Sequence, residues 1–286
     1  MVAPLRTVIV KRPEEAFCSL SGHSASTEWQ DLAWTRPPDV DLASREHSRF
    51  VSVLNAAGAR TVCLPADSRT GLDSLYAHDP VLITDAGAVI LQTGKPDRRG
   101  EGPAMADALK AWGVPIFGTI DGEATAEAGD MVWLDSHTLI VGRGFRTNSA
   151  GVQRLADLLR PLGVAVVAVP LPYWNGPEDV LHLMSFISLL DADLAVVYRR
   201  LLPVTLYELL QERKIDLVDV PAEEFMTLGC NVLAVAPRHL ISVAGNPVTL
   251  ARLREAGCTV SEFEGREICI PGAGGPTCLT RPLLRA

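Results

Sequence analysis

The sequence predicts a closed α/β repeat built from strand, hairpin and helix units around a common centre. Three observations carry that prediction. Short β-rich runs begin at residues 60, 114, 164, 215 and 258, a period of roughly 50 residues that marks a repeated supersecondary unit. Each of the first four is followed by a loop and then by two further strand-like runs. A helix-like segment comes after each hairpin.

The elements can be justified in order. Residues 7–10 form an apolar N-terminal strand that would complete the last unit. The runs 60–65, 164–170 and 215–221 each end in proline, which suits the end of a strand. Residues 80–84 and 88–91 read as a hairpin turning at Asp85-Ala86-Gly87, and 131–134 with 138–141 as a second, turning at Asp135-Ser136-His137. Asn148-Ser149 can cap a helix whose Val152, Leu155, Leu158 and Leu159 share a face. Pro247 can open another, with Leu250, Leu253 and Ala256 aligned and Gly257 ending it. Residues 103–112 and 203–210 supply two more. The expectation is one catalytic domain over residues 1–286.

Composition narrows the function. Hydrophobic residues are 48 % and charged residues 21 % of the 286, as in an ordinary globular chain. The net charge of −8 argues against nucleic acid, which needs a basic face, and suits a small cationic partner. No apolar run approaches the roughly 18 residues of a membrane span. The first residues lack the pattern of a signal peptide, so a cytoplasmic location is expected. The six cysteines, Cys18, Cys63, Cys230, Cys258, Cys269 and Cys278, show no CxxC spacing and read by default as buried free thiols. No GxGxxG opens a helix after the first strand, and Walker A, HExxH and GxSxG motifs are absent.

The loops between units carry the chemistry. Residues 71–80 hold Asp73 and Asp79, residues 125–130 hold Glu127 and Asp130, residues 181–185 hold His182, and residues 272–280 hold Cys278. These loops occupy equivalent places in different repeats, so a closed ring brings them together. Converging carboxylates repel unless a cation sits between them. A guanidinium is a natural guest: it is planar, stays protonated, and offers forked N–H donors to carboxylates. A neighbouring thiolate can attack its central carbon, and a histidine can protonate the departing amine and then activate water.

The motifs resemble those of the guanidine-modifying pentein superfamily of five-bladed α/β propellers, and most closely the dimethylarginine dimethylaminohydrolases. The resemblance rests on Asp73-Ser-Leu-Tyr-Ala-His-Asp79, Glu127-Ala-Gly-Asp130, the stretch from Gly142 to Asn148, Val180-Leu-His182-Leu, and Gly274-Gly-Pro-Thr-Cys278-Leu-Thr280, in that order. It implies that Cys278 is a nucleophile forming a covalent thiouronium and that His182 is general acid, then base. Glu127 would contact the guanidinium and orient His182. Asp79 would bind guanidinium nitrogens, with Asp73 supporting the site. Arg98 and Arg146 would hold the α-carboxylate of an amino-acid substrate, and Asp130 would be a structural acid. No metal or organic cofactor is implied. The partner is a small cationic guanidino compound, and a homodimer is allowed.

Three features depart from the pattern. Met184 stands where deiminases and amidinotransferases have an aspartate and the dimethylarginine hydrolases usually a lysine, which leaves the substrate open. Ala128 replaces a glycine, tolerable if its φ is negative. Residues 171–178 and 18–29 form long loops that suit lids. Taken singly, Cys278 and His182 would read as core residues, Asp73 as a surface acid, and the two arginines as solvated. Two alternatives to the hydrolase stay open: an amidinotransferase or arginine deiminase-type enzyme, and a non-catalytic guanidine binder.

Overall fold

The computed structural model describes residues 1–17 and 28–286. Its strands form five sheets of three. Strands β1 (Leu5–Lys11) and β2 (Arg60–Leu64) are followed by β3 (Val81–Thr84), β4 (Gly87–Ile90) and β5 (Ile116–Thr119). Then come β6 (Met131–Asp135), β7 (Thr138–Arg143), β8 (Ala165–Pro170), β9 (Ile187–Asp191), β10 (Leu194–Val197) and β11 (Asp216–Asp219). The last four are β12 (Leu233–Ala236), β13 (His239–Val243), β14 (Thr259–Phe263) and β15 (Arg281–Arg285).

Every sheet repeats one plan. An antiparallel pair is followed by a helix, and a third strand then returns parallel to the second, as in β3-β4-β5 and β6-β7-β8. A parallel return needs a crossover of this kind. The β-rich run that opens each unit in the sequence therefore pairs with the hairpin before it. Chain ends close the ring: β15 lies antiparallel to β1 (Val8 opposite Pro282, Ile9 opposite Arg281) and β2 parallel to it. The N-terminal strand thus completes the last unit, as its sequence suggests. First strands of neighbouring sheets meet, β9 with both β6 and β12, and β15 with β3.

Five helices cover the sheets: α1 (Val40–Ala56), α2 (Glu101–Ala111), α3 (Ser149–Leu159), α4 (Val204–Glu212) and α5 (Pro247–Glu255). Asn148 caps α3, its side chain accepting from the Gly151 amide at 2.8 Å, and Leu155 and Leu159 are buried beneath it. In α5, Pro247 stands at the start, and Gly257 follows the helix with φ +83°, the left-handed region that glycine enters without strain. The longest helix, α1, escapes the apolar pattern because Glu46 and His47 share its buried face with Ala43, Phe50 and Leu54. Glu46 is buried to accept the amides of Glu267 and Ile268. Among the described residues no helix is long and apolar enough to cross a membrane.

Candidate active site

Five segments, each leading into the first strand of a sheet, converge on one cavity of about 140 Å³. They contribute Asp79 before β3, Glu127 before β6, His182 before β9, Asn231 before β12 and Cys278 before β15. Asp79, His182, Asn231 and Cys278 line the cavity, and Glu127 is wholly buried behind His182.

The acid side is tightly wired. His182 Nε2 lies 2.6 Å from Glu127 Oε2, while Glu127 Oε1 accepts the Gly94 amide at 2.9 Å. Asp79 Oδ1 accepts the Gly129 amide at 3.0 Å. One ligand atom each from Asp79, Glu127 and His182 fall within 4.8 Å of one another. Burial alone would strip the proton from His182, but the carboxylates of Asp79, Asp130 and Glu127 outweigh it and raise its pKa to about 9. Conversely, burial works against the charged forms of Asp79 and Glu127, yet His182 and the nearby arginines hold both below the usual carboxylate range. Gly129 makes this possible: a Cβ there would collide with the His182 ring. Asp130 is the structural acid expected of it, accepting from Thr147 Oγ1 at 2.6 Å and from the Leu183 amide at 3.0 Å. Burial raises its pKa to about 7. Ala128 is buried in the same turn and is not among the positive-φ residues.

Opposite stands the thiol. Asn231 Nδ2 donates to Cys278 Sγ at 3.1 Å, and Asn231 Oδ1 accepts the Thr277 amide at 3.1 Å, so one amide side chain fixes both loop and sulfur. Burial, then the negative Asp79, push the Cys278 thiol up to about 11. Its loop runs against Tyr76, whose ring leaves no room for a side chain at Gly274. Cys230, Cys258 and Cys269 are buried, as read by default, whereas Cys63 is only half-buried; Cys18 and the lid reading of residues 18–27 lie outside the described residues.

The two arginines part company. Arg146 is buried at the cavity, with Nη1 3.7 Å from Glu127 Oε1. Arg98 is also buried, but its fork is spent on the protein: Nη1 on Asp79 at 2.7 Å, Nε and Nη2 on Glu101 at 2.9 and 2.8 Å, and Nη2 on the Tyr76 carbonyl at 3.2 Å. These pairs engage the donors expected to hold a substrate carboxylate, although Arg98 too lines the cavity. The reason is burial: two acids set beside one guanidinium must be neutralised by it. Asp73 likewise turns inward, accepting from Trp34 Nε1 and Lys95 Nζ, each at 2.7 Å.

Asn231, Lys95 and Trp34 were not anticipated from the sequence. Asn231 had a signal, since it occupies in the fourth unit the place that the other four polar residues occupy in theirs. For Lys95 and Trp34 no local pattern exists. Much of the remaining wall is apolar, with Trp174, Leu181, Met184, Phe225 and Met226, beside the acids Glu178 and Asp179. Of the 171–178 loop, Trp174 and Glu178 reach the cavity.

A ring of five such units whose centre holds a thiol, an imidazole and buried carboxylates defines the guanidine-modifying class of α/β propellers. The arginine deiminase family profile matches residues 73–207 and 201–285, and the chain belongs to that family, within the pentein (amidinotransferase/arginine deiminase) superfamily. It is 31 % identical over 253 residues to an N(G),N(G)-dimethylarginine dimethylaminohydrolase of Streptomyces coelicolor, covering 85 % of this chain and 86 % of that protein. Among solved structures, a mutant of the Pseudomonas aeruginosa dimethylarginine dimethylaminohydrolase complexed with citrulline superposes with a TM-score of 0.78 at 22 % identity, over 99 % of this chain and 100 % of that one. The N-terminal domain of a cyanobacterial arginine dihydrolase, bound to product, superposes with a TM-score of 0.79 at 18 % identity, over 98 % and 97 %. At these identities the two structures speak for the fold.

Proposed function

We propose that the protein hydrolyses an N-substituted guanidine, with N-methylated arginine the first candidate, to a ureido product and an amine. The observation that carries this reading is the convergence of the Cys278 thiol, the protonated His182–Glu127 pair and Asp79 at one cavity. A guanidinium seated against Asp79, with Glu127 acting through His182 rather than by the direct contact first expected, brings positive charge to Cys278, which promotes loss of its proton to solvent. The thiolate sulfur then bonds to the guanidinium carbon. His182 delivers its proton to the departing nitrogen as the C–N bond breaks, leaving a thiouronium. Neutral His182 next takes a proton from water, whose oxygen attacks the same carbon. The C–S bond breaks, and the ureido product and the thiolate form.

Within this reading Arg98 positions Asp79 rather than touching substrate, and Arg146 is the cation placed to meet an α-carboxylate. Asp73 supports the loop through Lys95. The apolar wall with Met184 suits an alkylated guanidinium edge better than a bare one, which supports a methylated substrate.

The test is a substrate panel of monomethylarginine, asymmetric dimethylarginine, arginine, agmatine and smaller guanidines, assayed for ureido product with Cys278→Ser as control. Citrulline from the methylated arginines, lost in the variant, is expected. Product from arginine alone would instead make it a deiminase. Diversion of product by added glycine or ornithine would make it an amidinotransferase. Binding without product, with Cys278 inert to alkylation, would leave a guanidine binder.

A further inference from the structure

A second cavity, of about 440 Å³, lies on the ring axis beyond the first. Ile83 of β3, Trp133 of β6, Leu189 of β9, Leu233 of β12 and Leu283 of β15 all line it, so every sheet contributes its first strand. Among the described residues only His78, Met184 and Thr277 line both cavities.

Its charged wall is mainly cationic, whereas acids and cations mix on the wall of the first. The charged side chains on its wall are Arg281, Arg285 and the exposed Asp85. Neither arginine has an acidic partner within salt-bridge distance among the described residues, although the chain carries more acids than bases. Arg285 donates to the carbonyls of Ala3 and Ala234, at 2.6 and 2.9 Å. Arg281 is 7 % exposed, and its Nε is a buried donor with no partner. Its one hydrogen bond among the described residues runs from Nη1 to His78 Nε2, at 3.4 Å. That leaves Nη2 without a partner and the occluded Nε beside it unsatisfied, so the guanidinium can still donate to a carboxylate. A buried guanidinium left in this state is costly unless something pairs with it.

We propose that this far cavity binds a small organic carboxylate, the carboxylate on Arg281 and the apolar remainder against the surrounding strands. His78 joins the two sites. Its Nδ1 is 2.8 Å from the Thr280 carbonyl and its amide donates to the Cys278 carbonyl at 3.2 Å. Burial and then Arg281 hold its pKa down at about 3, so it stays neutral, with Nε2 as acceptor. A ligand that draws on Arg281 thus pulls on the loop that carries the thiol.

Calorimetry with butyrate, succinate and phenylacetate tests the proposal, on protein whose Cys278 has been alkylated so that the first cavity is blocked. One-to-one binding of at least one of them is expected, weakened about tenfold or more in Arg281→Gln, as for loss of a charge-assisted pair. Leu283→Trp, which fills the cavity without touching the arginine, is expected to weaken it similarly, and serves if Arg281→Gln does not fold. Absence of saturable binding at millimolar ligand, or equal affinity in the wild type and both variants, would overturn the site. Equal binding of inorganic phosphate would show a general anion pocket and overturn the assignment to carboxylates.

Discussion

The two ends of the ring axis differ in charge and are built differently: acids and cations mix at one, and arginines dominate the other. At the candidate active-site end the buried acids are committed to partners, although the buried Tyr76 hydroxyl has none. Asp79 and Glu101 share Arg98, Glu127 holds His182, and Asp73 holds Lys95 and Trp34. At the far end two arginines face apolar strands, and one buried donor has no partner. The candidate catalytic residues sit in loops before the first strands, whereas the far cavity is walled by the strands themselves. The contrast teaches where precision resides. A loop can aim a side chain across the axis, and a network of charge-assisted hydrogen bonds then fixes it.

The comparison can be broken most sharply at the sulfur. Cys278→Ser should lower turnover of the best guanidine by about four orders of magnitude or more, while carboxylate binding at the far cavity persists; ureido-product assays and calorimetry read the two ends separately. Glu127→Gln should lower turnover by about 10²- to 10⁴-fold and bring the His182 pKa down from about 9 toward its ordinary value, which NMR titration of the ring can follow. An unchanged titration would show that Asp79 and Asp130 alone hold the proton.

Stability against pH sharpens the same contrast. His182 is raised from 6.5 to about 9, so its contribution is whole below pH 6.5 and is lost as pH rises through about 9. Asp130, raised from 3.8 to about 7, favours the fold when protonated and has lost that contribution once pH exceeds 7. The wild-type Tm should therefore fall by several degrees between neutral pH and pH 10, and fall less in His182→Gln. The smallest effect is expected for Trp34→Phe, which leaves Asp73 one donor short and should cost about 1–3 kcal/mol in denaturant unfolding, with kcat little changed.

Much of this architecture is legible without coordinates. The repeat, the hairpins, the α3 cap at Asn148 and the α5 stop at Gly257 follow from local chemistry, because turns, caps and apolar periodicity act over a few residues. The convergence of Asp79, Glu127, His182 and Cys278 also follows, since equivalent loops of a closed ring must meet. Helix α1 was hidden because Glu46 and His47 lie on its buried face, and the pairing of Arg98 with Asp79 and Glu101 was hidden because a surface guanidinium and a buried one read alike in sequence.

The sequence by itself determined the repeating unit, the closure of the ring by its two end strands, and the identity of the central chemical groups. Tertiary structure alone decided how those groups are paired: that Arg98 serves Asp79 and Glu101, that Asn231 holds the thiol, that Met184 and His78 line both cavities, and that Arg281 faces a cavity with a donor unspent. Local patterns fix elements because they depend on near neighbours. Pairings between residues tens to hundreds of positions apart depend on distance and burial, and these exist only once the five sheets have closed.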